Sequence, residues 1–152
     1  MSCKNYRVLQ MTNDSIGAVA ADNFMPLGRI TRRIGTKIND STPFDVMSSN
    51  ADTVQLTSAG YYKILYNATI VAAAAGIAKL TLVVGGVDVY SASQTVASGA
   101  TLNLMLPYDT RVFANCNTQP TNCPLPVQIR LSGVGASSGT ANLIIDSCVN
   151  GG

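Results

Sequence analysis

The chain has 152 residues, the size of one domain, and is long enough to build a hydrophobic core without stabilising metals. Only 12% of the residues are charged, about half of the roughly 25% typical of globular proteins, and the net charge is +2. His, Glu and Trp do not occur, which excludes a Ser-His-Asp or Cys-His catalytic site and removes the commonest general base and metal ligand.

The first predicted element is an extended N-terminal arm over residues 1–42. This segment lacks sustained alternation, apart from a short predicted strand at 6–10, and it holds six of the ten basic residues against three Asp. No apolar signal segment is seen in its first part, and the longest apolar run, 70–78, is too short to cross a bilayer. We therefore expect synthesis in a cytoplasm and no membrane partner.

The second half of the arm contains both arginines and apolar residues, which suits docking on a capsid or on another protomer. The arginines can pair with carboxylates while the apolar side chains bury area. The alternative is a solvated basic loop. Nucleic-acid binding is not expected, because the basic cluster is short and the net charge is small. The candidate docking residues are Phe24, Met25, Leu27, Arg29, Ile30, Arg32 and Arg33.

From Pro43 onward, short alternating runs recur about every ten residues between turn signals, which is typical of an antiparallel β-sandwich. A short helix within 69–80 is an alternative because of its Ala run, but Ile70, Val71 and Ile77 favour a strand with a turn at Gly76. Turns are predicted at 58–60, 75–76, 85–86, 98–99, 107–109 and 133–139. Strands are predicted at 44–47, 53–57, 61–72, 78–84, 87–96, 101–106, 111–114, 127–132 and 141–146.

The acidic and cysteine residues give no sign of catalysis or of metal binding. Because Asp45, Asp52, Asp88, Asp109 and Asp146 lie near strand ends or on polar faces, they are interpreted as turn caps and solvated positions. The Gly85-Gly86 pair lacks the Lys of a phosphate loop and is interpreted as a hairpin turn. We expect a non-enzymatic protein without a cofactor.

The cysteines do not follow a zinc-binding pattern, because Cys-x-x-Cys pairs do not occur. Cys116 and Cys123 enclose a short loop rich in Pro and Asn, and they could form a disulfide in an oxidising medium. Free thiols are the alternative.

Several segments, taken in order, resemble one jelly-roll family. They are 43–44, 52–56, 60–64 with its Gly60-Tyr61-Tyr62 element, 80–87 and 139–145. They resemble the domain shared by tumour necrosis factor, the complement globular head and the collagen-like glycoproteins of spore surfaces, and among its uses the phage head-fibre and decoration proteins. The resemblance covers 43–147, and residues 1–42 contain no Gly-x-y collagen repeat.

The resemblance implies an all-β jelly roll over residues 43–152 that forms a homotrimer, with aromatic and small residues of neighbouring protomers at its centre. The low charge also favours burial of surface in a symmetric oligomer. On the predicted strand 61–72, one face forms the core, and the other still carries apolar residues. The candidate trimer-interface residues are Tyr61, Tyr62, Leu65 and Tyr66.

The predicted function is that of a structural virion protein, a trimeric head fibre or decoration protein on a phage capsid surface. Its partners would be the major capsid protein, or another virion protein, and host surface glycans. The alternative is a secreted or surface-displayed, lectin-like binding module of the same fold. Exposed aromatics near polar groups would form a glycan site, and the candidates are Tyr90, Tyr108 and Phe113.

Overall fold

The computed structural model describes residues 6–34, 52–56, 60–112 and 125–149. These residues form ten β-strands and no helix, so no helix able to cross a membrane occurs among them. The strands are β1 (Tyr6–Ile16), β2 (Asn23–Phe24), β3 (Arg29–Ile34), β4 (Val54–Leu56), β5 (Gly60–Ala72), β6 (Gly76–Val84), β7 (Val87–Val96), β8 (Thr101–Val112), β9 (Leu125–Gly133) and β10 (Ala136–Val149).

The strands form two antiparallel sheets that pack face to face. The first sheet has the order β3-β1-β10-β5-β8. The second sheet has the order β2-β9-β6-β7, and β4 also pairs with β9. Among the described strands, only β6 and β7 are both consecutive in the chain and paired within one sheet, so most connections cross between the two sheets. The predicted all-β sandwich is confirmed.

The core lies between the sheets and follows from the period-two alternation of their strands. In the first sheet, one row across four neighbouring strands consists of Met11, Leu143, Tyr66 and Leu106, all of them fully buried. In the second sheet, β6 and β9 bury large aliphatic side chains. Burying one such side chain stabilises the fold by about 1.5–3 kcal/mol. The aliphatic residues buried by β6 and β9 are Leu80, Leu82, Ile129 and Leu131.

The Tyr66 hydroxyl lies in the core without a hydrogen-bond partner. Burial raises the pKa of this phenol above its usual range, because the ionised form would lose its hydration. An unsatisfied buried hydroxyl costs about 1–3 kcal/mol, so the Tyr66 ring holds its place through packing and not through its polar end.

Most predicted strands from residue 61 onward match the structure. The predicted strand 87–96 coincides with β7, and the turn at Gly85-Gly86 joins β6 to β7 with both glycines at positive φ. The alternative helix does not form, because β5 continues to Ala72 and β6 begins at Gly76. The predicted strand 44–47 lies outside the described residues.

Two predicted turns are wrong. Residues 107–109 continue strand β8, which is an edge strand of the first sheet, where the missing N–H of Pro107 leaves no ladder bond unmade. The turn predicted at 133–139 is shorter, because β10 begins at Ala136. The strand predicted at 53–57 appears as β4, but β4 and β5 lie in different sheets and do not pair with each other.

The described part of the predicted arm is not an extended tail. Strand β1 lies between β3 and β10 in the first sheet, and its pairing with β10 runs from Tyr6 opposite Cys148 to Ile16 opposite Gly139. Six side chains of this segment are in the hydrophobic core. The predicted boundary at residues 42 and 43 lies outside the described residues. The six core side chains are Leu9, Met11, Ile16, Val19, Met25 and Leu27.

Candidate interaction surface

The four residues predicted at a trimer interface divide between the core and the surface. Tyr62 and Tyr66 point into the core and are 1% and 0% exposed, so they cannot contact a neighbouring protomer. The reason is the alternation of β5, which sends its even-numbered residues inward. Tyr61, which is 54% exposed, and the half-buried Leu65 lie on the outer face of the same strand.

We call the outer face of the first sheet the β5 face. It is broad and carries apolar side chains: Met105, 50% exposed, stands opposite Asn67, and Leu65 stands opposite Ile144. Contiguous exposed apolar area of this kind marks surfaces that bind other proteins. The β5 face consists of Gln10, Thr12, Tyr61, Lys63, Leu65, Asn67, Thr69, Val71, Thr101, Asn103, Met105, Pro107, Asp109, Arg111, Asn142, Ile144 and Asp146.

Charged side chains are gathered at one end of the β5 face. Lys63 stands opposite Asp146 on one neighbouring strand and opposite Asp109 on the other. The Arg111 guanidinium lies over the Tyr61 ring, 4.9 Å from its centroid. Opposite charges in cross-strand positions attract each other, so Lys63 and its two Asp neighbours stabilise one another within the protomer. The other residues of the β5 face are uncharged, and the charges nearest to them are Arg29 and Arg32 on β3, opposite Thr12 and Gln10.

The uncharged middle of the β5 face is a ladder of amides and hydroxyls. The Asn142 Oδ1 atom accepts hydrogen bonds from Gln10 Nε2 at 3.2 Å and from Thr12 Oγ1 at 3.1 Å. Asn103 Nδ2 donates to Thr69 Oγ1 at 2.8 Å. Between these pairs, the Asn67 Oδ1 atom is buried without a hydrogen-bond partner. An acceptor in this state is ready to receive a donor from a molecule that covers the face.

A shallow open depression of about 320 Å³ lies at the edge of this face. Tyr108, a predicted glycan-site candidate, lines it and is half-buried. The depression borders strand β8, which pairs only with β5 among the described strands. Strand β8 therefore offers a free sheet edge next to the β5 face, and such edges are a ready surface for pairing. Its lining residues are Lys63, Ile64, Leu65, Pro107, Tyr108 and Asp109.

The predicted docking residues do not form one patch. Met25 and Leu27 are core residues, and the backbone N–H of Met25 donates to the Ile129 carbonyl at 2.7 Å, which fixes this segment against β9. Ile30 is half-buried against the core. Phe24 is 36% exposed on β2, opposite Arg130 in the second sheet.

Two of the predicted arginines remain accessible. Arg29 and Arg32 are exposed on β3, the other edge strand of the first sheet, and Arg29 forms an exposed ion pair with Asp14 at 3.2 Å. An exposed ion pair of this kind contributes little to stability. The side chain of Arg33 lies outside the described part of the chain.

One of the acidic residues predicted at a solvated position, Asp88, is paired with an arginine. Asp88 forms an ion pair with Arg130 at 2.6 Å, a contact that the sequence analysis missed because 42 residues separate the two side chains. Within the described ranges, no cluster of three or more acidic, Cys or His side chains could hold a metal ion. The predicted Asp45, Phe113, Cys116 and Cys123 positions lie outside those ranges.

Comparison with known proteins identifies the fold. No family model and no curated protein sequence matches the chain. Among solved structures, the Eiger TNF from S. frugiperda has a TM-score of 0.62 at 7% identity and covers 99% of this chain and 96% of its own. The globular domain of zebrafish complement 1qA has a TM-score of 0.58 at 7% identity, with 94% and 96% covered.

A phage protein shares the same fold. The vertex protein P5 of phage PRD1 has a TM-score of 0.57 at 17% identity, and the match covers 95% of this chain and 73% of that protein. At these identities the likeness shows the fold alone. The chain is a TNF-like jelly roll, as its sequence resemblance predicted.

Proposed function

We propose that this protein is a non-enzymatic structural protein of a phage virion, a homotrimeric jelly roll that stands on the capsid surface as a head fibre or decoration protein. The observation that carries this proposal is the β5 face, which is broad, partly apolar and charged only at one end. The shared fold of the PRD1 vertex protein supports a place on a virion. The partner on the particle would be the major capsid protein or another virion protein.

The first sheet offers two kinds of surface to a neighbouring protomer. A ring with threefold symmetry needs a heterologous interface, in which one patch of a protomer meets a different patch of the next. The β5 face supplies one patch, with Tyr61, Leu65 and Met105 as apolar anchors. The free edge of β8 supplies the other. Covering the face would also give the Asn67 carbonyl a donor.

The trimer is tested by the mass of the protein in solution. We expect light scattering at micromolar concentration to give the mass of three 15.8 kDa chains for the unaltered protein. Leu65→Asp should shift the mass toward one chain, because burying an unpaired carboxylate at the interface costs several kcal/mol. Ser93→Asp, on an exposed position of β7 in the other sheet, is the matched control and should leave the trimer intact. A mass of one chain for the unaltered protein would refute the assembly.

Attachment to the particle is proposed to use the basic edge strand β3. Arg29 and Arg32 are exposed there, and they can form charge-assisted hydrogen bonds to carboxylates of a capsid protein. A free strand edge can add main-chain hydrogen bonds to an extended acidic segment of that partner. Because the arginines lie on a folded strand, docking would not require the ordering of a long tail.

This attachment is tested on purified particles that lack the protein. We expect the protein to rebind, and Arg29→Ser combined with Arg32→Ser to lower occupancy about tenfold and to weaken the salt dependence of what remains. Lys79→Ser, an exposed cation on the opposite sheet, is the control and should bind normally. Full occupancy of the double variant would move the attachment site elsewhere on the protein.

A further inference from the structure

The outer face of the second sheet carries a shallow depression that none of the roles above uses. Its volume is about 340 Å³, and it lies over strands β6 and β7. The register of these strands shifts between Leu82 and Val83, so that Val89 is an extra residue on β7. A bulge of this kind redirects neighbouring side chains. The lining residues are Lys79, Thr81, Asp88, Val89, Tyr90 and Ser91.

Thr81 supplies the floor of this depression and has an unused polar atom. It lies on the central strand β6, between Arg130 of β9 and Ser91 of β7, and is 3% exposed. Its Oγ1 atom is buried and makes no hydrogen bond. A valine would fill the same space without burying a hydroxyl. The buried hydroxyl therefore indicates a binding partner. That partner contacts the Oγ1 atom when a long neighbouring side chain moves aside, or through one bridging water.

The rim of the depression offers both hydrogen-bond acceptors and donors. The Asp88 carboxylate, 55% exposed, is held by Arg130 Nη2 at 2.6 Å through its Oδ2 atom. This bridge fixes the carboxylate in position before any ligand arrives, which lowers the entropy cost of binding. Lys79 and Ser91, both exposed, contribute an ammonium group and a hydroxyl.

Tyr90 adds an aromatic group to this polar rim. It is 42% exposed and lines the depression next to the bulge. A pyranose ring matches this combination. Its adjacent hydroxyl groups suit the polar rim, and its patch of C–H groups packs on an aromatic ring. A phosphate ligand would meet the negative charge of Asp88, which disfavours it.

We propose that this depression is a saccharide-binding site, in which Asp88, Ser91 and Thr81 bind adjacent hydroxyl groups and Tyr90 packs against the sugar ring. The site lies on the sheet opposite the β5 face, so it does not rest on the proposed trimer and remains open to solvent within it. It suits a protein that meets a glycan-covered cell surface.

The test is binding of the full chain to an array of immobilised short oligosaccharides, with neutral, amino and carboxylated sugars as separate sets. We expect retention on the neutral or the amino set, because the Asp88 carboxylate disfavours an anionic ligand. Thr81→Val should weaken binding about tenfold, the value of one hydrogen bond to a buried group, while the thermal midpoint stays the same or rises. Tyr90→Ala should abolish binding.

Thr95→Val is the matched control, since Thr95 is exposed on β7 but does not line the depression. It should bind as the unaltered protein does. The Thr81→Val variant keeps the shape of the side chain, so a loss of binding at full stability separates a ligand contact from a packing role. The proposal would be overturned if the unaltered protein bound no oligosaccharide. It would also be overturned if the Thr81→Val and Tyr90→Ala variants bound as tightly as the unaltered protein.

Discussion

Deletion of residues 1–34 is expected to unfold the protein. The deletion removes strands β1, β2 and β3, and the loss of β1 would leave one edge of β10 unpaired. It also removes six core side chains, each of which contributes about 1.5–3 kcal/mol, for a total of about 9–18 kcal/mol. That total is comparable to the whole stability of a typical domain, about 5–15 kcal/mol.

Circular dichroism and thermal unfolding measure this effect directly. The truncated chain should lose its cooperative transition and should be recovered mainly as aggregate, because an unpaired central strand such as β10 exposes a long sheet edge. The variant with Arg29→Ser and Arg32→Ser is the matched control. It removes two exposed charges of the same segment without touching the core, so it should unfold cooperatively near the unaltered midpoint. A truncated chain with native circular dichroism would show that the jelly roll begins after residue 34.

Deletion of this segment and substitution of its exposed arginines have different consequences for an attachment experiment. A deletion that unfolds the protein would abolish binding to particles whether or not the segment is an anchor. Substitution of the exposed arginines is therefore the informative experiment, and deletion is not. The same reasoning applies to Met25 and Leu27, whose replacement would disturb the core before it affected any docking surface.

The sequence predicted strands well where one face is buried and the other is exposed. Strand β5 alternates almost without exception, so both its core residues and the outward-facing positions of Tyr61 and Leu65 could be assigned. Strand β1 is different. Adjacent residues Val8 and Leu9 are both buried, which breaks the period of two, and the partner strand β10 lies at the other end of the chain. Local pattern could not show either fact.

The candidate surfaces were harder to predict than the fold. Tyr62 and Tyr66 were assigned to an interface by residue type, but alternation sends both into the core. The saccharide site depends on cross-strand register, on a bulge, and on an ion pair between residues 42 positions apart in sequence. Strand pairing over such distances is set by the topology of the whole sandwich, and no local pattern encodes it.

Gly133→Ala is expected to destabilise the protein by more than about 3 kcal/mol, among the largest effects of any single substitution. Gly133 ends β9 with a φ of 83°, a left-handed conformation that a side chain disfavours. Its Cα also packs closely against the backbone of β6. A Cβ atom added there would overlap with the carbonyl oxygen of Ile77, a backbone atom that cannot rotate away.

Gly99→Ala separates these two causes. Gly99 has nearly the same φ, 78°, but a Cβ atom there would meet no heavy atom within 4 Å. Its replacement should cost only the conformational strain, about 1–2 kcal/mol. The difference between the two variants in urea unfolding therefore measures the clash with Ile77 alone. Equal losses would mean that the connection between β9 and β10 can shift away from β6, and that the close approach of the β9 and β6 backbones is not required for the fold.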